Sequence, residues 1–172
     1  QNIQIWNLDN TFVNNIFSSI DSSVVQPDGK IIVAGYSING DYRITRLNID
    51  GSLDNSFNSA IVGGGIAVHT IVLQPDGKII IAGPLSTING VERGQIARLN
   101  IDGSLDNSFN EYYFNTIYSM VAQPDGKIII SSPTGIIRLN TDRFVYTSFN
   151  AENTSNDVRK MILQPDGKIL IG

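Results

Sequence analysis

The 172-residue chain has no cysteine and a single histidine, His69. Without thiols, neither a disulfide frame nor a thiolate metal centre can form. One imidazole cannot hold zinc without several carboxylates around it, and most nucleophile–base pairs lose their base. Glutamate is scarce as well: Glu92, Glu111 and Glu152 are the only three, and they share no motif. No stretch approaches the roughly 18 consecutive apolar residues of a membrane-spanning helix. Helical periodicity is absent apart from one possible short turn over Asn14–Ile20. The net charge is −4, and four of the five lysines belong to one repeated pentapeptide. No basic stripe remains to neutralise phosphates, which argues against a nucleic-acid partner. No motif calls for a cofactor or a resident metal.

What the chain does have is a repeat. Gln-Pro-Asp-Gly-Lys occurs at Gln26–Lys30, Gln74–Lys78, Gln123–Lys127 and Gln164–Lys168, each time between two apolar runs. Proline sets φ for the first corner of a type I turn, aspartate suits the second, and glycine takes the left-handed position that follows. Each copy therefore predicts a three-residue hairpin loop closed by a bulge, with Gly29, Gly77, Gly126 and Gly167 at positive φ. Asn48-Ile49-Asp50-Gly51-Ser52 predicts a second reversal of the same kind, repeated around Gly103, while Arg143 stands at that place in the third unit.

These turns divide the chain into units of about 16–57, 58–109 and 110–149. A partial unit covers 150–172, and residues 1–12 form either the end of a preceding unit or closing strands. In the first unit strand A is expected at Ser22–Gln26, B at Lys30–Gly35, C at Tyr42–Asn48 and D at Leu53–Phe57. The other units follow the same pattern. Strand B is apolar at consecutive positions, as in Ile79-Ile80-Ile81-Ala82 and Ile128-Ile129-Ile130. A sheet with one wet face would alternate, so these strands must be covered on both sides. A four-stranded meander repeated every 40–50 residues and packed on both faces is a propeller blade. The expected fold is all-β: a β-propeller-type array of four-stranded antiparallel blades, three complete units plus parts of another. A β-solenoid is the main rival, but its rungs are shorter and lack two tight reversals per unit. The predicted core comprises Val24, Val25, Ile31, Val33, Phe57, Ile71, Leu73, Ile79, Ile81, Val121, Ile128, Ile130 and Ile162.

The string QPDGKIIVAG…RLNIDGSLDNSF resembles the delta-60 repeat, a bacterial propeller-type repeat whose domain has no assigned function. The resemblance implies a secreted or cell-surface bacterial protein and implies no activity. Ser131-Ser132-Pro133, where Ala-Gly is expected, and Arg143 depart from the pattern. The start at Gln1 and the break after Ile169-Leu170-Ile171-Gly172 read as a piece of something longer. Two closures stay open: a larger propeller, or a fourth blade completed by Ile3–Phe12 beside Val158–Gly172.

The chemistry-bearing candidates are few. His69 reads as a strand-edge residue in preference to a catalytic base. Asn48-x-Asp50-Gly51-x-x-Asp54 faintly suggests a calcium loop but lacks the alternating acids and the terminal bidentate glutamate. It reads instead as a hairpin whose aspartate caps local backbone. Phe12, Phe57, Phe109 and Phe149, which end the Leu-Asp-Asn-Ser-Phe copies, read as wedges between blades.

In such a meander the A–B and C–D turns lie at one end, and here they are uniform. The B–C and D–A connections lie at the other end and vary. Variation on a rigid scaffold marks a recognising face. The candidate binding residues there are Tyr36, Asp41, Tyr42, Glu92, Arg93, Glu111, Tyr112, Tyr113 and Phe114. The function expected is non-enzymatic: a secreted or surface-attached scaffold that meets another protein or a cell-envelope component. A carbohydrate-recognition module is the alternative, and a propeller hydrolase would need a clustered pair of carboxylates.

Overall fold

The computed structural model describes residues 16–58, 60–63, 68–109, 116–141 and 158–172. The described residues form four blades of antiparallel sheet around a common axis. Blade 1 contains β1 (Phe17–Val25), β2 (Ile31–Ser37), β3 (Tyr42–Leu47) and β4 (Ala60–Gly63). Blade 2 contains β5 (Thr70–Leu73), β6 (Ile79–Ala82) and, after an excursion through β7 (Thr87–Ile88) and β8 (Val91–Glu92), β9 (Ile96–Leu99). Blade 3 contains β10 (Ser119–Ala122), β11 (Ile128–Ser132) and β12 (Gly135–Leu139), and blade 4 contains β13 (Met161–Leu163) and β14 (Ile169–Ile171). The A strands touch in succession, β1 with β5, β5 with β10 and β10 with β13, so they line the axis.

The pentapeptide turns form as their chemistry requires. In the first, Gly29 N–H donates to the Gln26 carbonyl at 2.9 Å and Gln26 N–H to the Lys30 carbonyl at 2.7 Å. The Asp28 carboxylate accepts from Lys30 N–H at 3.1 Å. Gly29, Gly77, Gly126 and Gly167 have φ between 81° and 84°, and Gly51 and Gly103 lie at 82° and 84°. The C–D reversal repeats the scheme, with Gly51 N–H on the Asn48 carbonyl at 2.9 Å and Asp50 accepting from Ser52 N–H at 2.9 Å.

The middle strands are buried on both faces. Ile79 to Ala82 and Ile128 to Ile130 are fully inaccessible, and alternate residues enter different cores. Ile79 and Ile81 pack toward blade 1, while Ile80 and Ala82 pack toward blade 3. Ile128 and Ile130 share the second of these cores, and Ile129 faces blade 4 with Val121, Val158 and Met161. Each core is thus a blade-to-blade joint. Phe57 and Phe109 sit in the first and second of them as wedges. Phe12 and Phe149 lie outside the described residues.

The structure corrects the sequence reading at four places. Strand D shrinks to its first residue: Leu53 bridges Leu47 and Leu105 bridges Leu99, after which Asp54–Phe57 and Asp106–Phe109 turn away. The aspartate of that motif still donates its N–H to strand C, at 2.9 Å in both blades, and a turn closed by the phenylalanine N–H on its carbonyl then takes the chain off the edge. Next, Val25 and Ile162 are not core residues; they are 64% and 63% exposed. Both lie on faces that the cores between the described blades do not reach. Val24, Ile31 and Leu73 are half-buried. Finally, residues 17–20 of the possible helical turn belong to β1. The possible closing strands Ile3–Phe12 and the third unit's Arg143 lie outside the described residues.

Blade 1 is wider than its repeat. The connection Pro84–Gly94 of blade 2 folds into the β7–β8 hairpin, which pairs through β4 onto blade 1 in the order β1-β2-β3-β4-β7-β8. Its turn is Asn89-Gly90, both at positive φ (51° and 79°), the two-residue geometry that matches strand twist. The Asn89 side-chain oxygen accepts from Ile61 N–H at 2.8 Å and the Asn89 backbone N–H donates to the Ile61 carbonyl at 2.9 Å, anchoring the hairpin to β4.

Candidate functional site

The two ends of the blades carry different chemistry. On the turn end a polar lock recurs. Asp54 accepts from Lys30 Nζ at 2.7 Å, from Arg46 Nε at 2.7 Å and from the Ser56 hydroxyl at 2.6 Å. Asp106 accepts from Lys78 at 2.7 Å, Arg98 at 2.8 Å and Ser108 at 2.6 Å. Each arginine also stacks on its motif phenylalanine, Arg46 over Phe57 at 5.0 Å and Arg98 over Phe109 at 4.8 Å. Each then reaches the next blade: Arg46 donates to the Ile101 carbonyl at 3.1 Å and Arg98 to the Thr141 carbonyl at 3.0 Å.

Hydrogen bonds from Lys30 and Ser56 hold the Asp54 carboxyl far below the usual carboxylate range. Burial pulls Asp106 upward, but Lys78, Ser108 and Arg98 outweigh it and leave this carboxyl equally low. The calcium-loop geometry is thereby overruled in the first unit: Asp54 is held by two cations and Asp50 is turned onto Ser52. Among the described residues no three metal-ligating side chains gather into a site. A cleft of about 410 Å³ lies between the Pro-Asp-Gly turns of blades 2 and 3, with Asp76, Asp125 and Thr141 at its walls. Its Lys78 and Arg98 are engaged by Asp106.

The opposite end is where the repeat varies. The residue five positions before each pentapeptide differs from blade to blade: Asp21, His69, Tyr118 and Arg159. The last three line one cleft of about 420 Å³ at the axial mouth, with Thr116, Ile117 and Lys160. Arg159 lies over the Tyr118 ring at 4.4 Å, which fixes the guanidinium against an aromatic wall. His69 is exposed directly before β5, and its N–H donates to the Ala82 carbonyl at 2.9 Å, the strand-edge role expected of it.

Of the nine residues singled out from the sequence, three meet in one cluster. Tyr36 is the second-last residue of β2 and Tyr42 starts β3, directly opposite in register, with ring centroids 4.9 Å apart and planes at 59°. Asp41 lies between them in the chain. It accepts from the Ser37 hydroxyl and from both Nε and Nη2 of Arg43. Arg43 foremost, then Ser37, lowers the Asp41 carboxyl below its ordinary value, and Asp41 in turn raises Arg43.

Glu92 and Arg93 stand apart, at the outer edge of the same sheet. Three strand spacings separate β3 from β8, about 14 Å. Arg93 bonds the Asn107 side chain at 2.8 Å and the Glu92 carbonyl at 2.7 Å. Glu111, Tyr112, Tyr113 and Phe114 lie outside the described residues.

Two groups were missed. Lys30, Arg46 and Asp54 recur as Lys78, Arg98 and Asp106, and that co-recurrence was a visible signal for the lock. The axial set was visible only after the units had been aligned on the pentapeptide, because its members are 41–49 residues apart and chemically unlike.

Comparison with known proteins assigns the fold. Residues 26–57 and 74–109 match the family described as "Domain of unknown function (DUF5122) beta-propeller". The selenomethionine-substituted virginiamycin B lyase of Staphylococcus aureus is similar in structure, with TM-score 0.64 and 17% identity over 91% of this chain and 50% of that one. The extracellular domain of a putative one-component system from B. thetaiotaomicron is similar with TM-score 0.59 and 13% identity, over 90% of this chain and 20% of that one. This chain thus spans half the length of the first and a fifth of the second. No curated protein matches the sequence. The fold is a β-propeller. No helix among the described residues is long and apolar enough to cross a membrane.

Proposed function

We infer that the protein is a non-enzymatic bacterial propeller, secreted or displayed at the cell surface, that serves as an interaction scaffold and meets its partner through the loop end of its blades. The observation that carries this reading is the axial cleft. Its wall is built from equivalent positions of successive blades, yet those positions hold His69, Tyr118 and Arg159. Residues that only maintain the fold repeat here, as the lysine–aspartate–arginine locks do in blades 1 and 2. Residues that diverge at one fixed radius of a rigid frame are placed to read something. His69, Arg159 and Lys160 offer nitrogen donors, and Tyr118 offers a ring and a hydroxyl, so the cleft suits a partner that presents acidic or hydroxyl groups. Extracellular placement is supported by the likeness to an extracellular sensor domain.

The non-enzymatic reading is supported by how the carboxylates are engaged. Asp54 and Asp106 hold a lysine and an arginine, and Asp125 and Asp166 hold the lysine of their own turn. A carboxylate pair facing across a cleft, which a glycosidase needs, would have to be drawn from other acids.

A second reading, carbohydrate recognition, is favoured by one arrangement. Tyr36 and Tyr42 form a tilted aromatic pair, with Asp41 and Arg43 fixed beside it as acceptor and donor. Aromatic faces flanked by fixed polar groups suit a sugar ring.

Pull-down from bacterial envelope fractions and a glycan array test both readings. His69→Ala with Lys160→Ala should abolish protein capture, while Tyr36→Ala with Tyr42→Ala should abolish any glycan signal. Asp28→Ala and Asp76→Ala on the turn end should leave both unchanged. Loss of binding only in the turn-end variants overturns the assignment of the face.

A further inference from the structure

The chain holds five lysines, and four of them are held by aspartates. Lys30 lies 2.7 Å from Asp54, Lys78 2.7 Å from Asp106, Lys127 2.6 Å from Asp125 and Lys168 2.8 Å from Asp166. All four belong to the pentapeptide turns. Lys160 is the fifth. It is exposed, stands at the loop end directly before β13, and holds no carboxylate among the described residues.

The charge around Lys160 runs one way. The axial cleft takes its other walls from His69, Thr116, Ile117, Tyr118 and Arg159, with no acid among the described residues that line it. The whole chain carries 16 acidic residues against 12 lysines and arginines, so this wall runs against the composition. Asp21, which holds the corresponding position in blade 1, does not line the cleft. The basic groups also start from ordered backbone. Lys160 N–H donates to the Gly172 carbonyl at 2.9 Å, and its carbonyl accepts from Gly172 N–H at 3.0 Å. The Arg159 guanidinium lies over one face of the Tyr118 ring at 4.4 Å. Ordering of this kind before binding reduces what a ligand must fix on arrival.

We propose that the axial cleft seats the carboxylate side chains of an acidic peptide segment of the partner protein, with Lys160 as the principal counter-charge and His69 and Arg159 as flanking donors. The proposal deepens the loop-end reading given above and rests on it. Walls of low dielectric focus the field of an ammonium with no carboxylate of its own, so an anion is drawn into the cleft more strongly than to a lysine in open solvent. The space, about 420 Å³, admits side chains from an extended segment. An acidic glycan carries the same carboxylates, but its rings stack best on an open aromatic face, and Arg159 covers one face of Tyr118. Peptide carboxylates therefore fit the cleft better.

Fluorescence anisotropy of a labelled hexaglutamate peptide, titrated with the full 172-residue chain, tests this. Hexaglutamate should bind, uncharged hexaglutamine and hexalysine should not, and the affinity should fall as sodium chloride rises. Lys160→Ala should weaken binding about tenfold, and Lys160→Arg should keep it. Lys168→Ala removes an exposed lysine from the turn end and should change nothing. Lys160 and Lys168 are both exposed, so each variant should keep the far-ultraviolet spectrum of the parent. Failure of hexaglutamate to bind, equal binding of hexaglutamine, or equal losses in Lys160→Ala and Lys168→Ala would each overturn the proposal. Tighter binding of tetragalacturonate than of hexaglutamate would also overturn it, by moving the carboxylates to a sugar chain. The envelope pull-down separates this proposal from the reading beneath it. Capture that is lost in His69→Ala with Lys160→Ala yet ignores excess hexaglutamate removes the acidic segment and keeps the loop-end face. Capture that survives the double variant, while hexaglutamate binding is lost, removes the face and with it the partner proposed here.

Discussion

Blades 1 and 2 differ from blades 3 and 4 in where the pentapeptide lysine goes. Lys30 and Lys78 reach 24 and 28 residues along the chain to Asp54 and Asp106. Lys127 and Lys168 fold back onto Asp125 and Asp166 of their own turns, at 2.6 and 2.8 Å. The pentapeptide is identical in all four, so it does not decide the outcome. The third unit has Tyr146 where the first two have Asp54 and Asp106. The turn makes the hairpin, and a distant aspartate makes the lock. A lock that engages a buried arginine and a neighbouring blade is of a different order from an exposed pair within a turn.

The largest effect separates one register position in two blades. Ile80 is fully buried between blades, while its equivalent Leu170 is exposed. Ile80→Asp should abolish cooperative folding, because a lone carboxylate cannot be hydrated there. Leu170→Asp should leave the fold intact. Thermal unfolding followed by circular dichroism distinguishes them, and native-like melting of the Ile80 variant would break the two-sided packing.

The lock comes next. Asp106→Ala strands Lys78 and Arg98 and should cost about 3–5 kcal/mol. Asp125→Ala removes an exposed pair and should cost less than about 1 kcal/mol. Urea titration measures both; equal losses would erase the distinction between the two halves of the array.

Glycine gives a smaller contrast. A Cβ on Gly103 would stand 2.6 Å from the Asn58 carbonyl oxygen and 2.7 Å from the Phe57 ring, whereas one on Gly167 meets nothing within 4 Å. Both have positive φ. Gly103→Ala should cost about 2–3 kcal/mol, from left-handed strain together with the clash. Gly167→Ala should cost about 1 kcal/mol from strain alone. The same denaturant series reports this difference.

The gentlest probe is pH. Asp54 and Asp106 have carboxyls lowered by the fold from an ordinary value of 3.8. A lowered folded-state value means that ionisation favours folding. The stability these groups contribute is complete above the unfolded value near 4 and is lost as pH falls below it toward the folded values. Asp106→Asn should flatten that acid limb in the melting temperature. An unchanged limb would show that the lock does not govern acid stability.

Much of this architecture could be read from residues. Pro-Asp-Gly specifies its turn by local sterics alone, and so all six turn glycines fell where expected. The doubly apolar B strands announced two-sided burial. The pair Tyr36 and Tyr42 was legible as a recognising candidate because both flank one short hairpin. Less legible was anything that depends on a neighbour's identity. Strand D was read as a full strand because its residues can adopt one, but the chain keeps its bonds to strand C only as far as Asp54 and Asp106 and then turns away. Glu92 and Arg93 looked like part of a loop, and they stand on a hairpin that crosses to another blade. Val25 and Ile162 carry the same apolar pattern as buried positions, and pattern cannot show which of them meets a neighbouring sheet.

The sequence by itself determined the turns, the register and the period, because each rests on φ preferences and side-chain alternation within a few residues. Tertiary structure decided which lysine meets a distant aspartate, which blade receives the β7–β8 hairpin, and which unlike residues face one another at the axial mouth. Those outcomes depend on charges and surfaces 24 to 49 residues apart, brought together only when blades pack around an axis.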